Sequence, residues 1–458
     1  CRFTTTYPVT LQPIELTDVG LEWPDPSSTS ATLTFSVDRN ATLADLDLDR
    51  LRLYFYADPS DASRMYLYFT RHVSGLTIMA GDQTVHRHGQ KWVRPVGLQS
   101  DEGLVPYSKH SFTGYRLLQE YFCFRPKFWF IDICGLEALA SMPETSTFSV
   151  QVHFDRSYPE KWAFGKENLR MHCTPVVNLF ETDAEPVRVT HRASEYRVRG
   201  DMRRPESVSV YSIQDVVGTV SSTGQRKSYQ PFLSMRHDTG DDPVYSETAR
   251  IGPTGSYDTF LSIGGIGASV EELAEETLTV EVRCTNGNTP REELREGDIT
   301  EPGSGYVNVA SFRNLTQPSR EILPPLDRHP RLYWMLISHL AHNRTSVLSV
   351  EALKRTLALY DWADTPATRR RIEGIRRVDW EPSERLDRGS IRRGVDVEIE
   401  VEDGHFADEG DLALFGNVLS RFLSTYATIN TFVHLTILTH PSNRRLTWDP
   451  LDGTLPLL

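Results

Sequence analysis

The chain has 458 residues, enough for about three domains at roughly 150 residues each, and a chain this long needs no disulfide or metal staple to hold its core. Charged residues at 24% and hydrophobic residues at 39% exclude wholesale disorder, and no run approaches the roughly 18–20 apolar residues that span a bilayer. Lys plus Arg number 49 against 62 Asp plus Glu, a net charge of −13, which argues against a general nucleic-acid binder.

Up to about residue 180 the pattern is mixed α+β. Leu33, Phe35 and Val37 alternate with polar residues, as do Leu51, Leu53 and Phe55, and both runs predict half-buried strands. The period then changes. Asp58 is a good N-cap and Pro59 a good first helical residue, with Met65, Leu67, Tyr68 and Val73 following at helical spacing. A second short helix is predicted from Tyr115 to Phe122, stopped by Pro126. Phe128 to Ile131 then reads as a buried strand, and Phe148, Val150, Val152 and Phe154 as an alternating one.

From 181 to 318 the sequence predicts a β-rich domain with long loops. Val208 to Ile213 and the alternating Leu278, Val280, Val282 and Cys284 are strands. Ser221 to Gly224, Thr239 to Gly255 and Asn286 to Gly305 read as surface loops on their Gly, Pro and Ser content. Pro318 to Pro330, centred on Pro324-Pro325, is a boundary. A helix-rich α+β domain is predicted from 319 to 458. Leu332 to Ala341 is strongly apolar, Ser349 caps a helix carrying Val350, Leu353, Leu357 and Tyr360, and Thr365-Pro366 opens a third. Val395, Val397, Ile399 and Val401 alternate with acidic residues. A helix with Leu412, Phe415, Leu419, Phe422, Leu423 and Tyr426 on one stripe follows, and Val433, Leu435 and Ile437 make the return strand. This is a strand–helix–strand unit, right-handed if its strands are parallel.

Five cysteines, Cys1, Cys123, Cys134, Cys173 and Cys284, form no CxxC pair, and the count is odd. They are expected to be reduced, in a cytoplasmic setting. Cys1 as an acylated lipoprotein residue is the rarer alternative. With no initiating Met and no targeting segment, the chain reads as a fragment whose true start is missing.

The search for chemistry finds little. Gly264-Gly265-Ile266-Gly267 lacks the Lys and Ser/Thr of a phosphate loop and is followed by Glu271-Glu272, so it reads as a turn. His86 with His88, and His339 with His342, share strand or helix faces without a third ligand. Gly303-Ser304-Gly305 lacks the strand–turn–helix setting of a nucleophile. Asn40, Asn314 and Asn343 begin sequons that matter only in a secreted eukaryotic protein. No catalytic, cofactor or metal residue is assigned. One local reversal of sign stands out: Arg369, Arg370, Arg371, Arg376 and Arg377, followed by Arg392 and Arg393. It is open to two readings, a solvated helix face paired with nearby acids, or a docking surface for an acidic partner. Base stacking is disfavoured because no aromatics are interleaved. Many aromatics, long loops and no site favour an assembly component over an enzyme.

Several blocks carry a resemblance in their original order. They are Thr5-Thr6-Tyr7-Pro8-Val9-Thr10-Leu11, Arg94-Pro95-Val96-Gly97-Leu98, Gly114-Tyr115-Arg116-Leu117-Leu118-Gln119-Glu120-Tyr121-Phe122 and Pro126-Lys127-Phe128. Cys284-Thr285-Asn286, Trp334-Met335-Leu336-Ile337-Ser338-His339-Leu340, Leu357-Ala358-Leu359-Tyr360-Asp361, Ile372-Glu373-Gly374-Ile375 and Arg421-Phe422-Leu423-Ser424-Thr425-Tyr426 follow. Together they resemble the TssF family (also called VasA or ImpG), a baseplate component of bacterial type VI secretion. The resemblance implies a structural, non-catalytic wedge protein without cofactors, and a family region of helices preceding Cys1 that is absent here. Its implied partners are TssG, TssK, TssE and a second TssF copy, with VgrG and Hcp in the assembled baseplate. It implies neither nucleic-acid binding nor membrane insertion, and a cytoplasmic place docked at the inner-membrane complex. The rivals are a wedge protein of another phage-like contractile system and a β-rich carbohydrate-active enzyme. On this reading Arg369, Arg370, Arg371, Arg376 and Arg377 are the candidate partner interface.

Overall fold

A computed structural model describes residues 1–107, 114–143, 145–200, 207–232, 243–252, 255–264, 275–303, 311–326, 331–340, 348–387 and 389–453. Its residues group into two compact units, Cys1–Thr5 with Val176–Glu321, and Thr6–Pro175 with Ile322–Leu458. The sequence reading placed boundaries near 180 and 318 and counted three domains. In the structure the first and last stretches share one apolar core, which runs from Ile14 and Leu33 through Leu353 and Phe415 to Trp448. The reason is visible in the helices. The apolar stripe of the last one packs on strands of its own stretch and also on the two helices of the first stretch.

In the first stretch, β1 (Ile14–Asp25), β2 (Ser28–Val37), β3 (Arg50–Phe55), α1 (Pro59–Arg71), β4 (Val73–Ala80), β5 (Gln83–His88), β6 (Val93–Pro95), α2 (Gly114–Cys123), β7 (Phe130–Cys134), β8 (Thr147–Phe154) and β9 (Leu169–Met171) follow in order. They form a five-stranded sheet ordered β1-β2-β8-β4-β5 and a four-stranded sheet ordered β9-β3-β7-β6. Leu33, Phe35 and Val37 alternate inward as expected, and Phe35 stacks on Phe148 across the β2–β8 pair with ring centroids 4.9 Å apart. Asp58 caps α1 by accepting from the Ser60 and Asp61 amides. Val73 does not belong to that helix. It opens β4, because α1 ends at Arg71 and the chain turns at His72. Phe128 lies in a 3-10 turn, Arg125–Phe128, so the strand predicted there starts two residues later.

The other unit is strand-built. Its strands are β10 (Phe180–Asp183), β11 (Val187–Val189), β12 (Tyr196–Val198), β13 (Ser209–Val220), β14 (Arg226–Pro231), β15 (Val244–Ile251), β16 (Tyr257–Gly264) and β17 (Glu276–Thr285). The path runs β10-β17-β13-β14-β15-β16-β12, with β11 also on β17. Leu278, Val280, Val282 and Cys284 point inward, as their alternation predicts. The segment read as a loop from Thr239 to Gly255 contains β15. All of that strand from Ser246 to Ile251 is exposed, so no apolar alternation advertises it, and cross-strand pairing with β16 holds it extended. The expected loop after Asn286 likewise holds a short helix, α3 (Thr289–Glu293).

The last stretch carries α4 (Leu332–Leu340), α5 (Val350–Tyr360), α6 (Pro366–Glu373), β18 (Ile375–Asp387), β19 (Ser390–Glu402), α7 (Glu409–Ser424), β20 (Thr431–His440), β21 (Arg445–Thr447) and β22 (Leu451–Asp452). Ser349 and Thr365 cap α5 and α6. Strands β19 and β20 pair in parallel around α7, with Val395 opposite Val433 and Val397 opposite Leu435, so the strand–helix–strand reading holds. The sequence reading missed β18, which hairpins onto β19. Its residues are mostly charged and exposed, and only pairing reveals it.

Helices α1 and α7 touch through backbone. A Cβ on Gly410 would lie 2.0 Å from the Ser63 carbonyl oxygen, so only glycine permits this approach. Gly410→Ala is expected to destabilise the fold by about 2 kcal/mol or more, although alanine gains about 1 kcal/mol in helix propensity. Urea titration of the purified variant checks this, and an unchanged midpoint would show that the helices can separate freely.

Candidate partner-binding surface

The arginine cluster is divided by the fold. Helix α6 ends at Glu373, and Arg376 and Arg377 open strand β18, so the five residues do not share a helix face. Arg369 Nε donates to Asp364 Oδ1 at 2.5 Å, and Arg370 Nη2 donates to the Gly404 carbonyl at 2.7 Å. Arg376 Nη1 donates to Glu402 at 2.9 Å, and Arg377 pairs with Asp379 at 2.5 Å. These four residues are exposed, Arg376 the least so of the three paired to acids.

Arg371 is different. It is buried, and its Nε lies 2.9 Å from Asp411 Oδ2, a carboxylate only 1% exposed. Arg125, from the 3-10 turn after α2, donates Nη2 to Asp411 Oδ1 at 2.6 Å, and the Ala407 amide donates to Oδ2 at 3.1 Å. Arg125 also lies over the Tyr121 and Trp129 rings, each 5.5 Å away. A carboxylate removed from water keeps its charge when several donors replace the lost hydration. Arg371 therefore belongs to the interior, and its assignment to a docking surface is corrected.

The first turn of α7 gathers further partners. Asp408 caps the helix through the Asp411 amide and accepts from Ser63 Oγ at 2.7 Å. Glu409 accepts from Arg156 at 3.0 Å and from Arg444 at 2.8 Å. Acids at a helix N-terminus are favoured by its dipole, and here three of them tie the helix to the rest of the unit.

Apolar side chains held in solvent mark the other candidate surface. Trp334 on α4 is 73% exposed, with Tyr333 and Ile337 beside it on the same helix. At the end of the β18–β19 hairpin, Leu386 and Ile391 face each other across the strands at 77% and 70% exposure. Strand β20 begins only opposite Arg393, so the hairpin's end extends past its neighbour. Exposed apolar clusters of this kind mark interaction sites. The sequence contained one signal for the first: α4 has no Asp, Glu, Lys or Arg on any face.

The first histidine pair, His86 and His88, lies on strand β5. His86 Nδ1 lies 3.0 Å from Thr77 Oγ1, and that hydroxyl is 2.7 Å from His153 Nε2. Burial, with His86 adding to it, holds His153 below its ordinary value. His342, Gly265 to Gly267, Ser304 with Gly305, and Asn343 lie outside the described residues. No group of three or more His, Cys, Asp or Glu among the described residues is placed to hold a metal ion. All five cysteines are unpaired, and burial pushes Cys123 up to about 12 and Cys173 and Cys284 up to about 11. Burial thus favours the thiol over the thiolate at all three. No helix among the described residues is long and apolar enough to cross a membrane.

The fold is a multidomain α+β architecture of several sheets, and the comparisons give it a family. The family model for type VI secretion system TssF matches residues 1–454, and the chain belongs to that family. It is 27% identical to type VI secretion system component TssF1 of Pseudomonas aeruginosa over 501 residues, covering all of this chain and 80% of that protein. A chain of the TssK-TssF-TssG baseplate subcomplex, determined by cryo-electron microscopy, superposes with a TM-score of 0.82 at 31% identity, covering 100% of this chain and 85% of the other. A chain of the type VI secretion baseplate complex gives 0.65 at 28% identity, covering 95% and 75%.

The two neighbouring arginines separate surface from interior. Arg370→Glu is expected to leave the melting temperature nearly unchanged, since exposed charges contribute little. Arg371→Glu places a second negative charge against buried Asp411 and should destabilise by about 3–5 kcal/mol. Differential scanning fluorimetry on both variants decides it, and equal melting points would place Arg371 at the surface after all.

Proposed function

We propose that this chain is a non-catalytic wedge subunit that binds TssG and TssK directly. On this reading it works with TssE, a second copy of itself, and the VgrG spike and Hcp tube. The assembly primes tube and sheath growth, and TssK docks it at the inner-membrane complex from the cytoplasmic side. The single observation that carries the reading is the full-length superposition, at a TM-score of 0.82, on a chain from a TssK-TssF-TssG subcomplex.

The four exposed arginines, Arg369, Arg370, Arg376 and Arg377, are proposed for the rim of a subunit contact. A guanidinium carries five N–H donors in a planar fork, and their internal pairs use only part of each fork. Rim charges of this type act mainly on association rate and salt dependence.

Co-expression with TssG and TssK of the same system, followed by affinity capture and size-exclusion chromatography, tests the function. The expected result is a stoichiometric complex containing all three chains. Elution of this chain alone, with TssG and TssK associating without it, would overturn the reading.

A further inference from the structure

One face of the five-stranded sheet is apolar and lines the core, and the opposite face is polar. Residues paired directly across antiparallel strands share a face, and three rows cross the polar one. Ser30, His153, Gly75 and His88 form the first, Thr32, Gln151, Thr77 and His86 the second, and Thr34, Ser149, Met79 and Thr84 the third. The Thr77 hydroxyl is where two imidazoles meet. Thr77 is only 6% exposed, and its Oγ1 lies 3.0 Å from His86 Nδ1 on β5 and 2.7 Å from His153 Nε2 on β8. Gly75, opposite His153, has no side chain to keep that imidazole away.

We propose that His86, Thr77 and His153 form an acid-sensitive latch, which holds edge strand β5 on the sheet at neutral pH and releases it in acid. A hydroxyl has one proton, so Thr77 donates to one imidazole and accepts from the other. Exposed His86 supplies the N–H, and half-buried His153 accepts. Acid protonates His153 Nε2, which removes that acceptor and, with His86 protonated as well, sets two cations against one oxygen. Among the described residues no carboxylate pairs with either ring. Asp18 and Glu22 reach this face only from β1, on the far side of β2, and Glu22 accepts from Gln151 at 3.3 Å. Beyond the end of β8, Asp155 and Arg156 both engage His72, at 2.9 Å and 3.3 Å. On the core side, Arg71 of α1 donates to the Thr447 carbonyl, Arg87 pairs with Glu137, and Lys91 lies over Trp92. His88 adds a third imidazole to the polar face. Burial first, and His86 second, hold His153 below its ordinary value. The fold therefore favours neutral His153: that stability is complete above about pH 6.5 and is lost as pH falls through the lowered value. Strand β5 feels the loss. Its one partner strand is β4 and it carries no buried residue, the marks of a segment that opens locally.

Hydrogen exchange by mass spectrometry on the full chain, at about pH 7.5 and about pH 5 with labelling times scaled for intrinsic exchange, reads the latch. Peptides covering β5 are expected to exchange at least about fourfold faster in acid, the factor by which two like charges this close disfavour each other in water, while α7 stays protected. His153→Gln retains a side chain that can bond Thr77 but cannot become charged, and it should show equal β5 exchange at both pH values. His86→Gln changes an exposed residue and should do the same, so the test stands even if the first variant does not fold. His88→Gln should keep the wild-type acid response. An acid response that survives in His86→Gln or in folded His153→Gln, or that is lost in His88→Gln, overturns the latch. So does the absence of any response in the wild type, or a rise that includes α7 equally, which would be unfolding of the whole chain.

Discussion

The larger unit depends on one buried carboxylate. Asp411 sits in the first turn of α7 and accepts hydrogen bonds from Arg125, Arg371 and the Ala407 amide. Arg125 comes from the stretch before the strand-built unit, and Arg371 from the stretch after it. An ion group removed from water is tolerated only in the arrangement that pairs it, so this contact fixes how the two stretches meet more than it adds to stability. Removing one member would leave the others buried without compensation, which makes the arrangement self-enforcing. The apolar core then closes around it. Gly410, one residue earlier, lets α7 reach the backbone of α1, and Tyr66 on α1 accepts from Asn417 at 2.7 Å on the same interface.

This constraint also accounts for what the sequence revealed and what it hid. Strands with one buried face, such as Leu33 to Val37 and Leu278 to Cys284, show their period because burial alternates along them. Capped helices show themselves for a similar reason: Asp58-Pro59 and Thr365-Pro366 are local signals read over a few residues. Strands β15 and β18 carry no such mark, since both lie mostly in solvent and are held by pairing. The joining of residues 6–175 with 322–458 was hidden for a different reason. It depends on contacts between residues nearly three hundred positions apart, and nothing local distinguishes Asp411 from any other acid in a first helical turn.

The candidate surface follows the same division. A run of arginines is legible as a charge anomaly, but sequence cannot separate Arg371, which faces Asp411, from Arg370, which faces solvent. The rotation of about 100° between neighbouring residues of α6 decides that. The exposed side of α4 was legible only as an apolar helix, and its partial exposure emerged from the packing. Interior and exterior thus use different chemistry in this chain: paired charges fix the core arrangement, while apolar side chains of α4 and of the β18–β19 hairpin stand in solvent.

Hydrogen exchange measured by mass spectrometry on Asp411→Asn tests the account most directly. This near-isosteric change removes the charge while keeping the shape and turns one of the two acceptor oxygens into an amide donor, so Arg125 and Arg371 no longer share an anion. If one carboxylate holds the two stretches together, amides of α1 and α6 should lose protection together with those of α7. Loss confined to the first turn of α7, with α1 and α6 protected as in the wild type, would contradict that claim.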